Sequence, residues 1–227
     1  MRLDQDLTSA TPVQGERPAL EPIDKLVESD HRIANNLAAI AAVIRLQCVK
    51  TERENYTKSE VQGLLTEVAS RIDVTARLHR ALAKTAQRGE LDSAHYLADI
   101  AQSALAALDE NDRMSLRLNL APNLFVPAPR LLPIGMIINE AVTNAVKYAH
   151  PAGIVGQIEI SSRREGAHGL YVVVEDDGVG LPPHFDPKTQ GGLGFKLMHT
   201  LAKQADAEIS YRSSPFGLRL QLVASSL

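Results

Sequence analysis

From Ile33 the apolar residues Ile33, Leu37, Ile40 and Ile44 recur at spacings of four, three and four, which is the stripe of an amphipathic helix that packs on other helices. Asp24 or Ser29 is placed to cap its start. After a polar stretch at 51–58 the same rhythm resumes through Val61, Leu65, Val68, Ile72, Thr75, His79 and Leu82. Two long helices joined by a short polar turn make an antiparallel hairpin. Each helix then carries an apolar stripe that its partner alone does not cover, so the hairpin is expected to complete a four-helix bundle by pairing with a second copy of the chain. The other arrangement the pattern permits is a monomer that folds its stripe onto the rest of the chain.

The texture changes after Gly89. Ala94 to Leu108 has helical periodicity, and Met114 to Leu120 alternates with period two, as a half-buried strand does. Pro122, Pro127, Pro129 and Pro133 predict a loop, followed by a helix from about Leu131 to Ala149. Strands are expected at Ile158–Ile160, Tyr171–Glu175, Ile209–Tyr211 and Leu218–Val223, with a glycine-rich entry into a helix over Gly191–Ala205. Helices interleaved with mostly antiparallel strands give an α+β two-layer sandwich. The domains are therefore drawn as a flexible arm at 1–20, a helical hairpin at 21–89 and an α+β domain at 90–227.

Charge and composition narrow the partners. A formal net charge of -3 supplies no basic field for nucleic acid, so no nucleic-acid partner is expected. One cysteine, Cys48, makes no internal disulfide and is read as a small buried hydrophobe on its helix. The polar start lacks the apolar core of a signal peptide, and the longest apolar runs fall short of the roughly 18 to 20 residues that span a bilayer. A cytoplasmic protein without membrane insertion is the expectation.

Three segments carry candidate chemistry. In Asn139-Glu-Ala-Val-Thr-Asn-Ala-Val-Lys147, Glu140 and Asn144 stand four apart and share one helical face. An amide carbonyl is a hard oxygen ligand suited to Mg²⁺, and a carboxylate one turn away can orient water or take a proton. The strand ending at Glu175 runs into Asp176-Asp177-Gly178-Val179-Gly180, and Gly191-Gly192-Leu193-Gly194 opens a helix. Glycines there permit close backbone approach, and a helix N-terminus offers N–H groups to phosphate. An acidic residue at a strand end can accept a hydrogen bond from the exocyclic amine of adenine.

Together, Glu140, Asn144 and Lys147, Asp176-x-Gly178-x-Gly180 and Gly192-x-Gly194 resemble the N, G1 and G2 boxes of the GHKL ATP-binding fold shared by histidine kinases, gyrase-type ATPases and Hsp90. Upstream, His31-Arg32-Ile33-Ala34-Asn35 and the later Arg71-Ile72 with His79 resemble the acceptor helices of HRxxN-class sensor histidine kinases. The resemblance runs from about residue 25 to the C-terminus, and the absence of Trp excludes the sister class with a Trp-x-Glu signature. It implies that Asn144 holds Mg²⁺, that Glu140 is its catalytic or water-positioning neighbour, and that Lys147 is a phosphate-side cation. It also implies that Asp176 reads adenine, that Gly178 and Gly180 shape the nucleotide wall, and that Gly192 and Gly194 line the phosphates beneath a short lid at 181–190. Asp177 receives no role.

His31 precedes Ile33 by two residues, about 200° around the helix, and so stands off the apolar seam, where a nucleophile has to be. With a reference pKa of about 6.5 its imidazole is mostly neutral at physiological pH. Relatives commonly carry an acidic residue after the acceptor His. Here Arg32 takes that place and is no base, so it is read as neutralising phosphoryl charge, with Asn35 orienting the imidazole one turn along. Which group takes the proton is left open. His79 falls on the seam and is read as a structural bundle residue.

The expected activity is an ATP-dependent protein histidine kinase that phosphorylates His31 and relays the group to an aspartate on the receiver domain of a separate response regulator. A homodimer and a separate sensory partner go with it. A phosphotransfer adaptor with a decayed ATP domain would have lost Asn144 or a glycine motif, and all are intact. A GHKL ATPase leaves the HRxxN helix unexplained.

Overall fold

The computed structural model describes residues 89–109, 112–167 and 169–225, with a few isolated positions between 41 and 76. His31, Arg32, Asn35, His79, the arm at 1–20 and the whole of the first apolar seam (Ile33, Leu37, Ile40 and Ile44) lie outside the described residues. On the second seam Val61, Leu65, Val68 and Ile72 are helical, as the periodicity predicts, and Val61, Leu65 and Ile72 are exposed.

The C-terminal part begins with β1 (Glu90–Asp92) and α1 (Ser93–Leu108), whose start is capped by Asp92 Oδ1 accepting from the Ala94 N–H at 3.0 Å. Then come β2 (Met114–Asn119), β3 (Phe125–Pro127) and the long helix α2 (Ala128–Tyr148). After them run β4 (Gly156–Glu165), β5 (Gly169–Asp176), α3 (Leu193–Gln204), β6 (Glu208–Ser214) and β7 (Gly217–Ala224). Five strands form one sheet in the order β2-β4-β5-β7-β6, parallel between β2 and β4 and antiparallel elsewhere.

Strand alternation decides which face is covered. Ile158 and Ile160 of β4, Leu170, Val172 and Val174 of β5, and Leu220 and Leu222 of β7 are buried in one core with Ile137, Ile138, Val142, Met198 and Leu201 of the helices. Between them Glu159, Glu175 and Arg219 face the other way, where Arg219 donates to its cross-strand neighbour Glu175 at 2.6 Å. The expected two-layer α+β sandwich is thus present.

Three expectations about the elements need correction. The helix predicted from Leu131 begins at Ala128, because Pro129 falls in the first turn, where no amide is needed, and Pro133 is accommodated inside. Part of the expected proline loop is β3, which pairs with β1 in a two-stranded sheet; two three-residue strands are too short to show a period. The strand expected at Ile158–Ile160 continues to Glu165, since its polar second half keeps pairing with the start of β5.

The packing of α1 on α2 turns on one residue. A Cβ on Gly135 would stand 2.5 Å from the hydroxyl oxygen of Tyr96, a buried side chain of α1 whose hydroxyl finds no partner among the described residues. We expect Gly135→Ala to lower stability by about 1–3 kcal/mol, against the roughly 1 kcal/mol that alanine gains by helix propensity. Urea denaturation measures this, and a Tyr96→Ala background should remove most of the cost. A stabilised Gly135→Ala would mean that the helices are free to separate.

Candidate nucleotide-binding site

The predicted site residues fall on three elements: the second half of α2, the end of β5 with the turn after it, and the start of α3. Along α2, Asn139, Glu140 and Thr143 are buried although polar, and Thr143 satisfies its hydroxyl by donating to the Asn139 carbonyl at 2.7 Å. Asn144 and Lys147 are half-buried. Buried polar groups in mid-helix cost stability, which is why their clustering points to a site and not to core packing.

The start of α3 comes down on this stripe. A Cβ on Gly194 would stand 3.2 Å from Oε2 of Glu140 and 3.8 Å from the amide atoms of Asn144. Glycine therefore lets the N-terminal turn of α3, with its outward N–H groups and positive dipole end, approach the carboxylate and the amide. Gly192 at the N-cap has open space where its side chain would be, so it leaves the floor of the turn clear.

On the other side, the turn after β5 is pressed against the end of α2. Gly178 lies so close to Ala149 that a Cβ would overlap it at about 2.5 Å, and the Val179 N–H donates to the Ala149 carbonyl at 2.9 Å. Gly180 follows with φ at 67°, a conformation that disfavours other residues. Asp176 is held at the mouth by two backbone bonds, both on Oδ1, from Gly178 N–H at 3.0 Å and Leu218 N–H at 3.3 Å. Oδ2 remains to accept from a ligand amine. Burial pushes the Asp176 carboxyl above the usual carboxylate range, and those two N–H groups offset it only in part.

The expected lid at 181–190 is a run of turns organised by Asp186, which accepts from the Lys188 N–H at 2.9 Å and the Thr189 hydroxyl at 2.8 Å. Phe185 packs on Phe195 of α3 and Phe195 on Tyr211 of β6, with ring centres 5.9 and 5.4 Å apart, so this segment is anchored by aromatic contacts. A separate groove of about 310 Å³ between α1 and β2, lined by Leu105, Leu116 and Leu118 among others, contains none of the predicted site residues. It also lacks convergent glycines.

The structure thus gathers Glu140, Asn144 and Gly194 into one cluster, with Gly178 and the neighbouring Asp176 at the end of the same helix and Gly180 against the turn between β6 and β7. It does not describe His31, Arg32 or Asn35. Sequence reading passed over His150, which closes on the glycine turn just past α2; only its place beside Pro151 at a helix end marked it.

An ATP-binding domain of the GHKL type is the class that this fold and this clustering define. Residues 131–224 match the family of histidine kinase-, DNA gyrase B- and HSP90-like ATPases, and residues 28–108 match a histidine kinase family. The chain belongs to the histidine kinases, in the HRxxN class. It is 30% identical over 192 residues to the sensor histidine kinase PdtaS of Mycobacterium tuberculosis, covering 82% of this chain and 36% of that protein. It is also 30% identical over 200 residues to blue-light-activated histidine kinase 2 of Erythrobacter litoralis, covering 87% of this chain and 56% of the relative. The chain therefore spans from a little over a third to somewhat more than half of these relatives. The structure of the Erythrobacter litoralis EL346 blue-light activated histidine kinase superposes with a TM-score of 0.70 at 24% identity, over 93% of this chain and 62% of that one, and shares the fold.

The raised Asp176 carboxyl yields a stability test. A carboxyl whose pKa is higher folded than unfolded favours the folded state at low pH and costs stability once pH has risen through the folded value. Asp176→Asn keeps an Oδ1 acceptor for both N–H groups and removes the charge. We expect a higher Tm than wild type near neutral pH, with the gain shrinking as pH falls through the carboxylate range. A lower Tm at neutral pH would show that the ionised group stabilises the turn.

Proposed function

We propose that this chain is the catalytic core of an ATP-dependent protein histidine kinase that phosphorylates its own His31 and passes the phosphoryl group to an aspartate on a separate receiver domain. The observation that carries the reading is the approach of Gly194 to Glu140 and Asn144, which puts a helix N-terminus beside an amide and a carboxylate. Asp176 accepts from the adenine amine, and the Gly178–Gly180 turn forms the wall. Gly192 and Gly194 give the phosphates access to the α3 N–H groups, and Lys147 adds a cation on that side.

The donor set fits Mg²⁺: the Asn144 carbonyl and the Glu140 carboxylate are hard oxygens, and among the described residues there is no cluster of three His, Cys, Asp or Glu that would suit a softer metal. Bound there with the nucleotide, the ion would neutralise charge on the transferring phosphates. Asn144 would hold it, and Glu140 would orient a water or the attacking geometry beside it. A ring nitrogen of His31 attacks the γ-phosphorus in line, the bond to the β–γ bridging oxygen breaks, and ADP leaves. The imidazole then gives up the proton on its other nitrogen. Arg32 neutralises phosphoryl charge and Asn35 orients the ring.

The domains proposed are the arm at 1–20, the acceptor hairpin at 21–89 and the ATP-binding domain at 90–227. The exposed, helical Val61, Leu65 and Ile72 support a homodimer through the hairpin. No described helix is long and apolar enough to cross a membrane. A cytoplasmic location is part of the proposal.

The test is incubation with Mg²⁺-ATP labelled at the γ-phosphate. Wild type should take an acid-labile, alkali-stable label, as a phosphoramidate requires, and His31→Ala should lose it while keeping its ATP affinity. Full labelling of His31→Ala would overturn the choice of nucleophile. A protein that takes no label from ATP but accepts it from a phosphorylated receiver is an adaptor. One that releases phosphate with His31 removed, and never holds a label, is an ATPase.

A further inference from the structure

One pair of side chains ties the two ends of the site together and has no part in the chemistry above. His150 lies two residues past the end of α2, its side chain 9% exposed, and its Nε2 is 2.8 Å from Oδ1 of Asp177. An ionised carboxylate only accepts, so Nε2 carries the proton. The same Oδ1 accepts from the N–H of Gln157 in β4 at 2.8 Å. Burial pushes the Asp177 carboxyl up, but the bonds from Gln157 and His150 outweigh it and hold the group below the usual carboxylate range.

The surroundings are cut to fit this pair. A Cβ on Gly156 would stand 2.1 Å from His150 Nε2 and 3.0 Å from Asp177 Oδ1, so only glycine leaves room for the ring and the carboxylate to meet. The His150 carbonyl accepts from the Gly153 N–H at 2.9 Å, which fixes the chain leaving α2. Asp177 directly follows Asp176, and His150 directly follows Ala149, whose carbonyl holds the Val179 N–H. The pair is therefore a side-chain brace beside the backbone bond between α2 and the glycine turn.

We infer that His150 and Asp177 are a positioning pair that fixes the register between the base-reading Asp176 and the metal- and phosphate-side residues of α2. Tight binding of a nucleoside triphosphate then depends on the pair, whereas binding of the nucleoside alone does not. A ligand that touches both ends gains from the second contact only if the two ends are held at its own length, whereas a ligand that touches one end is indifferent to their spacing. The inference rests on the proposed roles of Asp176 and Asn144.

The experiment compares Mg²⁺-ATP and adenosine on the full chain, by calorimetry and by NMR titration, in wild type, His150→Ala, Asp177→Ala and Asp177→Asn, with Tm measured for each. Asp177 is half-exposed, so its truncation removes the brace without opening the core. In both alanine variants Mg²⁺-ATP affinity should fall about ten-fold, as expected for one hydrogen bond to a charged group, with adenosine affinity changing less than about two-fold. Asp177→Asn, which keeps an oxygen acceptor, should restore most of the loss. In autophosphorylation the alanine variants should raise KM for ATP and leave kcat near wild type. Wild-type Mg²⁺-ATP affinity in Asp177→Ala would overturn the inference, as would equal loss of adenosine and Mg²⁺-ATP, which would place the pair in the base site alone. Failure of wild type itself to bind Mg²⁺-ATP would instead overturn the nucleotide reading on which the inference stands.

Discussion

The hydrogen bond from the Val179 N–H to the Ala149 carbonyl, 2.9 Å long, joins the last turn of α2 to the turn after β5. It forms only because Gly178 has no side chain, since any Cβ there would occupy the space of Ala149. Most of the site hangs from this contact. It sets how far Asp176, at the end of β5, stands from Asn144 and Lys147, five and two residues back along α2 from Ala149. The sheet holds β5 and the core holds α2, so a fixed join between them turns two rigid elements into a cleft of defined length.

Polar burial along this cleft runs against stability. Asn139, Glu140 and Thr143 are withdrawn from water in the middle of a helix whose other buried positions are apolar, and Asp176 is held where burial opposes its charge. A helix packed for stability alone would place alanine or leucine at such positions. The compensation lies in the aliphatic core beneath, where Ile134, Ile137, Ile138, Val142, Ile158, Ile160 and Leu170 are fully shielded, each side chain contributing roughly 1.5–3 kcal/mol. The apolar face of α2 and the covered face of the sheet thus support the polar positions that the same two elements carry.

Much of this was legible in the sequence, for physical reasons that differ between elements. The alternation of Met114, Leu116 and Leu118 gave β2 because one face of the sheet is covered and the other is wet. The glycine boxes stood out in the sequence, and at Gly178 and Gly194 the reason is that Ala149 and the Glu140 carboxylate press close. The start of α2 was misplaced because prolines break helices everywhere except in the first turn, and sequence alone does not say which turn is first. The strands β1 and β3 were missed because three residues carry no period. His150 was missed for another reason. Its partner stands 27 residues on, and only the fold brings them together. The acceptor helix rests on its motif and on the match to residues 28–108, since His31 lies outside the described residues.

The central claim is that α2, the turn after β5 and the start of α3 close on one Mg²⁺-nucleotide. Amide hydrogen exchange with and without Mg²⁺-ATP tests it most directly, because a bound nucleotide slows exchange wherever it restrains the backbone. The account predicts slowed exchange together at 144–150, 176–181 and 191–196, with no change along the groove between α1 and β2. Protection confined to that groove, or an unaltered pattern at saturating Mg²⁺-ATP, would contradict it.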